Sequence, residues 1–367
     1  MQLWRVFRNI GIFLTVMLMA VQAVAGDFTF RSAPAPDWDQ LFQRTNGWLG
    51  ADVAYSIPLG TDKTLWLFGD TFVGRVSDGK RIKPRMIHSS IALQEIGGPP
   101  QFFYPTNKSG APTSLLRSPA PRSDFWLLDG ERTGHGLYFF MQQVQWLDSS
   151  IWGFKCTATW LAYVDNPDDP PAHWKMTMRQ LPFTTLPGGQ DVIMGCETLT
   201  SGGYLYIYGY SNPENASAQK SAILARVPEG KLDDVSAWQY FSKGDWTNDF
   251  QKSTPLFDGV GAEGSVSWQP FLKKFIFVYT DGIWGTIVMR TAEAPEGPWG
   301  EPVKLYQCPE MQISPAVFCY AGKGHPELSA SNELLISYAV NSQKESEVFN
   351  DTRLYWPRFV RVTFEKR

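Results

Sequence analysis

Gly50-Ala51-Asp52-Val53-Ala54-Tyr55-Ser56-Ile57-Pro58-Leu59-Gly60-Thr61-Asp62-Lys63-Thr64-Leu65-Trp66-Leu67-Phe68-Gly69-Asp70-Thr71 reads as a β-hairpin. Two apolar-rich runs, Val53 to Leu59 and Thr64 to Phe68, flank a polar turn that contains Gly60 and Asp62. A turn centred near Thr61 places Asp52 opposite Asp70 at the open end of the hairpin. Directly opposed side chains on one face of a sheet lie about 4.5–5.5 Å apart, so the two carboxylates can share a site. A slip of one residue would turn one of them to the other face. Paired carboxylates at about this range serve glycoside hydrolysis, one as acid and the other as base or nucleophile. The alternative is that both aspartates cap turns at strand ends.

The same layout of hairpin, third strand and turn recurs along the chain, and sustained helical periodicity is absent after the first residues. Third strands begin near residues 87, 158, 222, 285 and 358, roughly 63 to 73 apart. The third unit turns at Ser201-Gly202-Gly203 between alternating runs, a strong hairpin signal. Five sheets of about four strands predict an all-β, five-bladed β-propeller spanning residues 26–367. Two stacked sandwiches are the competing arrangement.

In a propeller the first strands of the blades line the axis. Asp52, Asp124, Glu197, Glu263 and His325 occupy that position in successive units. Crowded carboxylates push one another's pKa values apart, as an acid/base site requires. The first and fourth units match closely. Gly50-Ala51-Asp52 aligns with Gly261-Ala262-Glu263 and Asp70 with Asp281, 18 residues apart in both. His88, on the strand after Asp70, faces the same funnel in this reading. Asp124 adjoins Arg122, which predicts a local ion pair. Substrate contacts are therefore expected from Glu197, Glu263, His88, His325 and Asp281. No cofactor is required, although clustered carboxylates would suit an axial calcium ion.

The first 25 residues read as a signal peptide. Arg5 and Arg8 give the positive n-region, Ile10 to Ala20 the apolar stretch, and Ala23-Val24-Ala25 the cleavage site. The apolar run is short for a membrane span and no second one follows, so a secreted or periplasmic protein is expected. The net charge of -3, without a basic stripe, argues against nucleic acid as a partner. Four cysteines allow three disulfide connectivities in an oxidising compartment. Cys308 with Cys319 is the most local pairing, and Cys156 with Cys196 then follows. Zinc is disfavoured because no Cys-x-x-Cys spacing occurs. The 15 Trp, 14 Tyr and 24 Phe serve equally as sugar platforms or as packing between sheets.

Gly50-Ala51-Asp52, then Leu65-Trp66-Leu67-Phe68-Gly69-Asp70-Thr71, then His88-Ser89-Ser90-Ile91-Ala92 resembles the exported five-bladed propellers of the endo-D-arabinanase family, glycoside hydrolase family 183. The resemblance implies endo-cleavage of α-linked D-arabinofuranose polymers, with Asp52 and Asp70 carrying the chemistry. It implies a third acid on a middle blade, matched by Glu197 or Glu263. Ser89 replaces the asparagine expected from the family pattern. The competing readings are an exo-acting arabinofuranosidase and a non-catalytic glycan-binding propeller, since the fold serves both.

Overall fold

The structure is a computed structural model that describes residues 21–25, 28–212 and 219–366. The fold is all-β, with short helices only at Pro36–Phe42 and Glu345–Asn350 beside single 3-10 turns among the described residues. Five antiparallel sheets follow one another along the chain. The first contains Tyr55–Pro58, Lys63–Phe68, Ser90–Glu95 and Gln101–Phe103. The second begins with Ser123–Thr133, the third is built around Gln190–Ser201, and the fourth begins with Gly264–Gln269. The fifth joins the two ends of the chain. Val317–His325 and Glu333–Ser342 lead to Arg358–Lys366, which pairs with Phe28–Pro34.

A three-stranded sheet of Asn46–Ala51, Thr71–Ser77 and Lys80–Ile87 is inserted around the first hairpin. It continues the hairpin ladder without a change of register. Tyr55 pairs with Leu67 on one side of the junction and Ala51 with Thr71 on the other. Asp52 and Asp70 lie opposite each other at the junction, where the Asp52 N–H donates to the Asp70 carbonyl at 3.2 Å. Between Asp52 and Tyr55 the backbone turns sharply, with φ of 71° at Val53 and 57° at Ala54.

Most of the aromatic side chains fill the spaces within and between sheets. Phe42 of the first helix meets Trp66 and Phe359 at 5.0 Å each, and Trp66, Phe68, Phe139, Phe140 and Phe277 are fully buried. Each such burial contributes roughly 1.5–3 kcal/mol. The expected disulfides are not formed. All four cysteines are free thiols, and Cys196, Cys308 and Cys319 are buried as small apolar side chains.

The charged and apolar parts of the predicted signal peptide lie outside the described residues. Its last residues, Val21–Ala25, pair antiparallel with Phe28–Ser32 as the outermost strand of the fifth sheet. No helix among the described residues is long and apolar enough to cross a membrane.

Candidate active site

Asp52 and Asp70 open onto a cleft of about 400 Å³. Two glycines account for their placement. A Cβ on Gly50 would lie 1.8 Å from the Tyr355 carbonyl oxygen, so only glycine admits the Tyr355 backbone here. A Cβ on Gly69 would lie 2.6 Å from Asp52 Oδ1 and 2.9 Å from a Val53 methyl. The Gly-Ala-Asp and Gly-Asp motifs are thus explained by close approach around one carboxylate.

The two acids have different surroundings. Tyr320 and Tyr355 donate their hydroxyls to Asp52 Oδ2, at 2.7 and 3.4 Å, while buried Oδ1 has no partner. Burial, and next the charge of Asp70, push the Asp52 carboxyl up to about 8, against the pull of the Tyr320 hydrogen bond. Asp52 therefore holds a proton at neutral pH. Asp70 instead accepts two N–H bonds on Oδ1, from His88 Nδ1 at 2.7 Å and Trp126 Nε1 at 2.8 Å. Such donors complement a carboxylate. The other His88 nitrogen, Nε2, is 3.4 Å from Asp124 Oδ2. Burial opposes charge on His88, but the Asp70 hydrogen bond and the surrounding carboxylates outweigh it and raise its pKa. One carboxyl keeps a proton and its neighbour is cradled by N–H donors, which is the arrangement of a general acid and its partner.

Asp124 accepts from Trp146 Nε1 at 2.8 Å, and Arg122 turns away to the Leu147 carbonyl, so the expected local ion pair does not form. Glu263 lines the cleft beside Asp52. Burial raises its pKa, with Lys323 and Lys220 opposing. Glu197 lies beneath the floor, 1% exposed, with Oε1 unpartnered. Burial, then the charges of Asp129 and Glu263, raise its pKa well above the ordinary glutamate value. The residues read as one funnel are therefore split between the cleft and the layer below it.

His325 and Asp281 sit elsewhere. His325 is fully buried, with Nδ1 2.6 Å from Ser56 Oγ, Nε2 2.8 Å from Ser337 Oγ, and its ring against Trp66. Burial lowers its pKa well below 6.5, so the ring is a neutral core group. In the fourth sheet Gly264 pairs with Tyr279, which sets Glu263 opposite Thr280 rather than Asp281. This one-residue offset leaves Asp281 exposed, outside the cleft lining.

Several site residues are not evident from the sequence. Tyr320 and Tyr355 hold Asp52, Lys323 bonds the backbone of the residue after it, and Asp129 bonds the Thr198 amide and hydroxyl at 2.8 and 2.9 Å. Asp129 directly ends the apolar Phe125-Trp126-Leu127-Leu128 run, a signal that could have found it. Aromatic rings flank the acids. Trp126, Trp146 and Phe154 pack edge to face on one side, while Trp152 contacts Phe318, which stacks on Tyr320. No group of three or more His, Cys, Asp or Glu side chains among the described residues is arranged to hold a metal ion.

Residues 36–364 match the family described as a domain of unknown function, DUF5005, and the chain belongs to that family. No curated protein matches the sequence. A crystal structure of a Bacteroides ovatus ATCC 8483 protein, proposed there to be a hydrolase, is 18% identical with a TM-score of 0.73. The match covers 91% of this chain and 90% of that one, and shows a shared fold. More distant structural neighbours include a GH43_1 enzyme from Xanthomonas citri complexed with xylotriose (12% identity, TM-score 0.48, covering 90% of this chain and 88% of that one). Another is an α-L-arabinofuranosidase from Lactobacillus brevis (11%, 0.48, covering 84% and 89%).

Proposed function

We propose that this protein is a glycoside hydrolase whose five successive sheets form a β-propeller. Its substrate is a furanose-containing polysaccharide, D-arabinan first, cleaved internally. Asp52 is the general acid and Asp70 the base or nucleophile. The observation that carries this reading is the pair itself: two opposed carboxyls at the floor of an aromatic-walled cleft, one holding a proton and the other cradled by N–H donors. A binding protein needs neither the opposition nor the contrast. The shared fold with the Bacteroides ovatus protein and the resemblance of the Gly-Ala-Asp and Leu-Phe-Gly-Asp-Thr motifs support the same reading.

Protonated Asp52 gives its proton to the glycosidic oxygen as the bond to the anomeric carbon breaks. Asp70 then activates water or attacks the anomeric carbon, and separations of about 6.5–9.5 Å or about 5–5.5 Å between the carboxyls distinguish these routes. Glu263 contacts sugar hydroxyls from the cleft wall, and His88 keeps Asp70 oriented. Export, as the N-terminal residues suggest, would place the enzyme where polysaccharide is met.

The test is oligosaccharide release from D-arabinan, L-arabinan and mannan by wild type, Asp52→Asn and Asp70→Asn. Release from D-arabinan by wild type alone is expected. Release that survives both substitutions would refute the paired-aspartate mechanism, and binding without release from any glycan would leave a glycan-binding protein.

A further inference from the structure

Lys323 bonds the backbone of the residue after Asp52 and is not part of the cleft lining. Its side chain is 1% exposed, within the inner strand Val317–His325 of the fifth sheet. The ammonium donates to the carbonyl of Val53, donates to the carbonyl of Ala321 at 2.7 Å, and sits 4.6 Å from the centre of the Tyr55 ring. Both accepting carbonyls belong to residues in the left-handed region, with φ of 71° at Val53 and 57° at Ala321. That conformation is strained for alanine and more so for β-branched valine, and persists only where the surroundings enforce it. Each strained residue directly follows a side chain of the site. Val53 follows Asp52 and Ala321 follows Tyr320, and the Tyr320 hydroxyl bonds Asp52 at 2.7 Å. A bulge in the strand pairing falls between Tyr320 and Lys323.

Lys323 opens onto a second cavity of about 350 Å³, separate from the cleft and lined by Ser56, Asp129, Thr198 and Ser265. It therefore does not meet a molecule bound against Asp52 and Asp70. The groups acting on its charge are Glu263, Asp52, Glu197 and Asp129. Those acting on Asp52 are Asp70, Tyr320, Glu263 and Lys323, with Tyr355 also within reach of Oδ2.

We propose that Lys323 is the positioning residue of this site. Its ammonium ties the backbones of Val53 and Ala321 to one point, which fixes the Asp52–Tyr320 hydrogen bond, and its positive charge favours the ionised form of Asp52. The consequence for catalysis rests on the acid/base reading above, but the clamp and the effect of the charge on Asp52 are measurable without a substrate.

The experiment is titration of the aspartate carboxyls by carbon-13 NMR, with the Asp52 signal identified by its loss in Asp52→Asn. In Lys323→Met and Lys323→Gln, Asp52 is expected to bind its proton at least tenfold more tightly, a midpoint at least one pH unit higher. Gln keeps a donor for the two carbonyls. The same substitutions on Ala321→Gly, which relieves one strained residue, carry the measurement if the single variants do not fold. A folded variant with an unchanged or lower Asp52 midpoint would overturn the proposal. Failure of wild type to cleave any glycan, with the midpoint still moving, would refute the hydrolase reading and leave Lys323 in its role.

Discussion

Replacing Asp52 by Asn should stabilise this protein, and by an amount that depends on pH. Asp52 titrates at about 8 in the folded chain, against 3.8 for the free side chain. The folded state therefore binds this proton more tightly than the unfolded state, so folding loses stability as pH rises from 3.8 toward 8. Each tenfold difference in proton affinity is 1.36 kcal/mol, so the loss above pH 8 is on the order of 5 kcal/mol. At about 2.1 cal/mol/K of unfolding entropy per residue, that corresponds to about 6–7 °C in Tm for a chain of 367 residues. Asn keeps an acceptor for the Tyr320 and Tyr355 hydroxyls but never ionises. The assay is Tm of wild type and Asp52→Asn from pH 4 to pH 9, read as a difference so that Glu197 and Asp129, which are not among the groups acting on Asp52, affect both proteins alike. The difference should be near zero at pH 4 and rise steadily to about pH 8. Part of the cost is repulsion from Asp70, so Asp70→Asn should show a fraction of the same gain. A difference that stays flat with pH, or Asn less stable at pH 9, would refute the burial argument.

His88 gives the opposite slope. Its pKa is raised in the fold, so its bond to Asp70 stabilises fully below the ordinary value of 6.5 and fades as pH rises through the raised one. His88→Ala should cost about 1.5–3 kcal/mol at pH 5.5, as expected for a charged hydrogen bond, and less at pH 9, by urea denaturation. His325→Ala should cost about 2–5 kcal/mol at either pH, because it leaves a cavity and two unpaired seryl hydroxyls, without changing KM for any substrate found. Asp281→Asn should change neither stability nor activity, which comparison with Glu263→Gln in the same assay would check.

The first hairpin was readable because its turn has an odd number of residues. Leu59 and Lys63 close around three residues, so positions 52 and 70, an even number apart, fall opposite each other. The fourth hairpin has the same spacing of acids but a different turn. Gln269 and Lys274 pair around the four residues Pro270 to Lys273, so the even spacing misses by one and Asp281 faces out. Sequence similarity at the hairpin ends could not reveal this, because the parity of the turn decides the face. Glu197 and Glu263 were legible as inward acids, but not that only Glu263 lines the cleft while Glu197 is buried outside its lining. Lys323 was hidden for another reason. Ala321-Gly322-Lys323-Gly324 has the composition of a solvated turn, and only the bulge after Tyr320 carries the lysine inward. His325 was read as a funnel residue from its place at a unit start, whereas the serines that enclose it come from the neighbouring strand (Ser337) and, 269 residues away in sequence, from the first sheet (Ser56).

The pairing of Phe28–Pro34 with Arg358–Lys366 makes the assembly a latch held by residues that are far apart in the order of synthesis. An emerging chain carries Phe28–Pro34 with one side unpaired until the last nine-residue strand exists. A chain stopped short of Arg358 has two open β-edges instead of one seam, on Phe28–Pro34 and on Glu333–Ser342, and open edges recruit other chains. Completion of the fifth sheet is thus tied to possession of both ends, and a truncated copy becomes a seed for association rather than a smaller version of the protein.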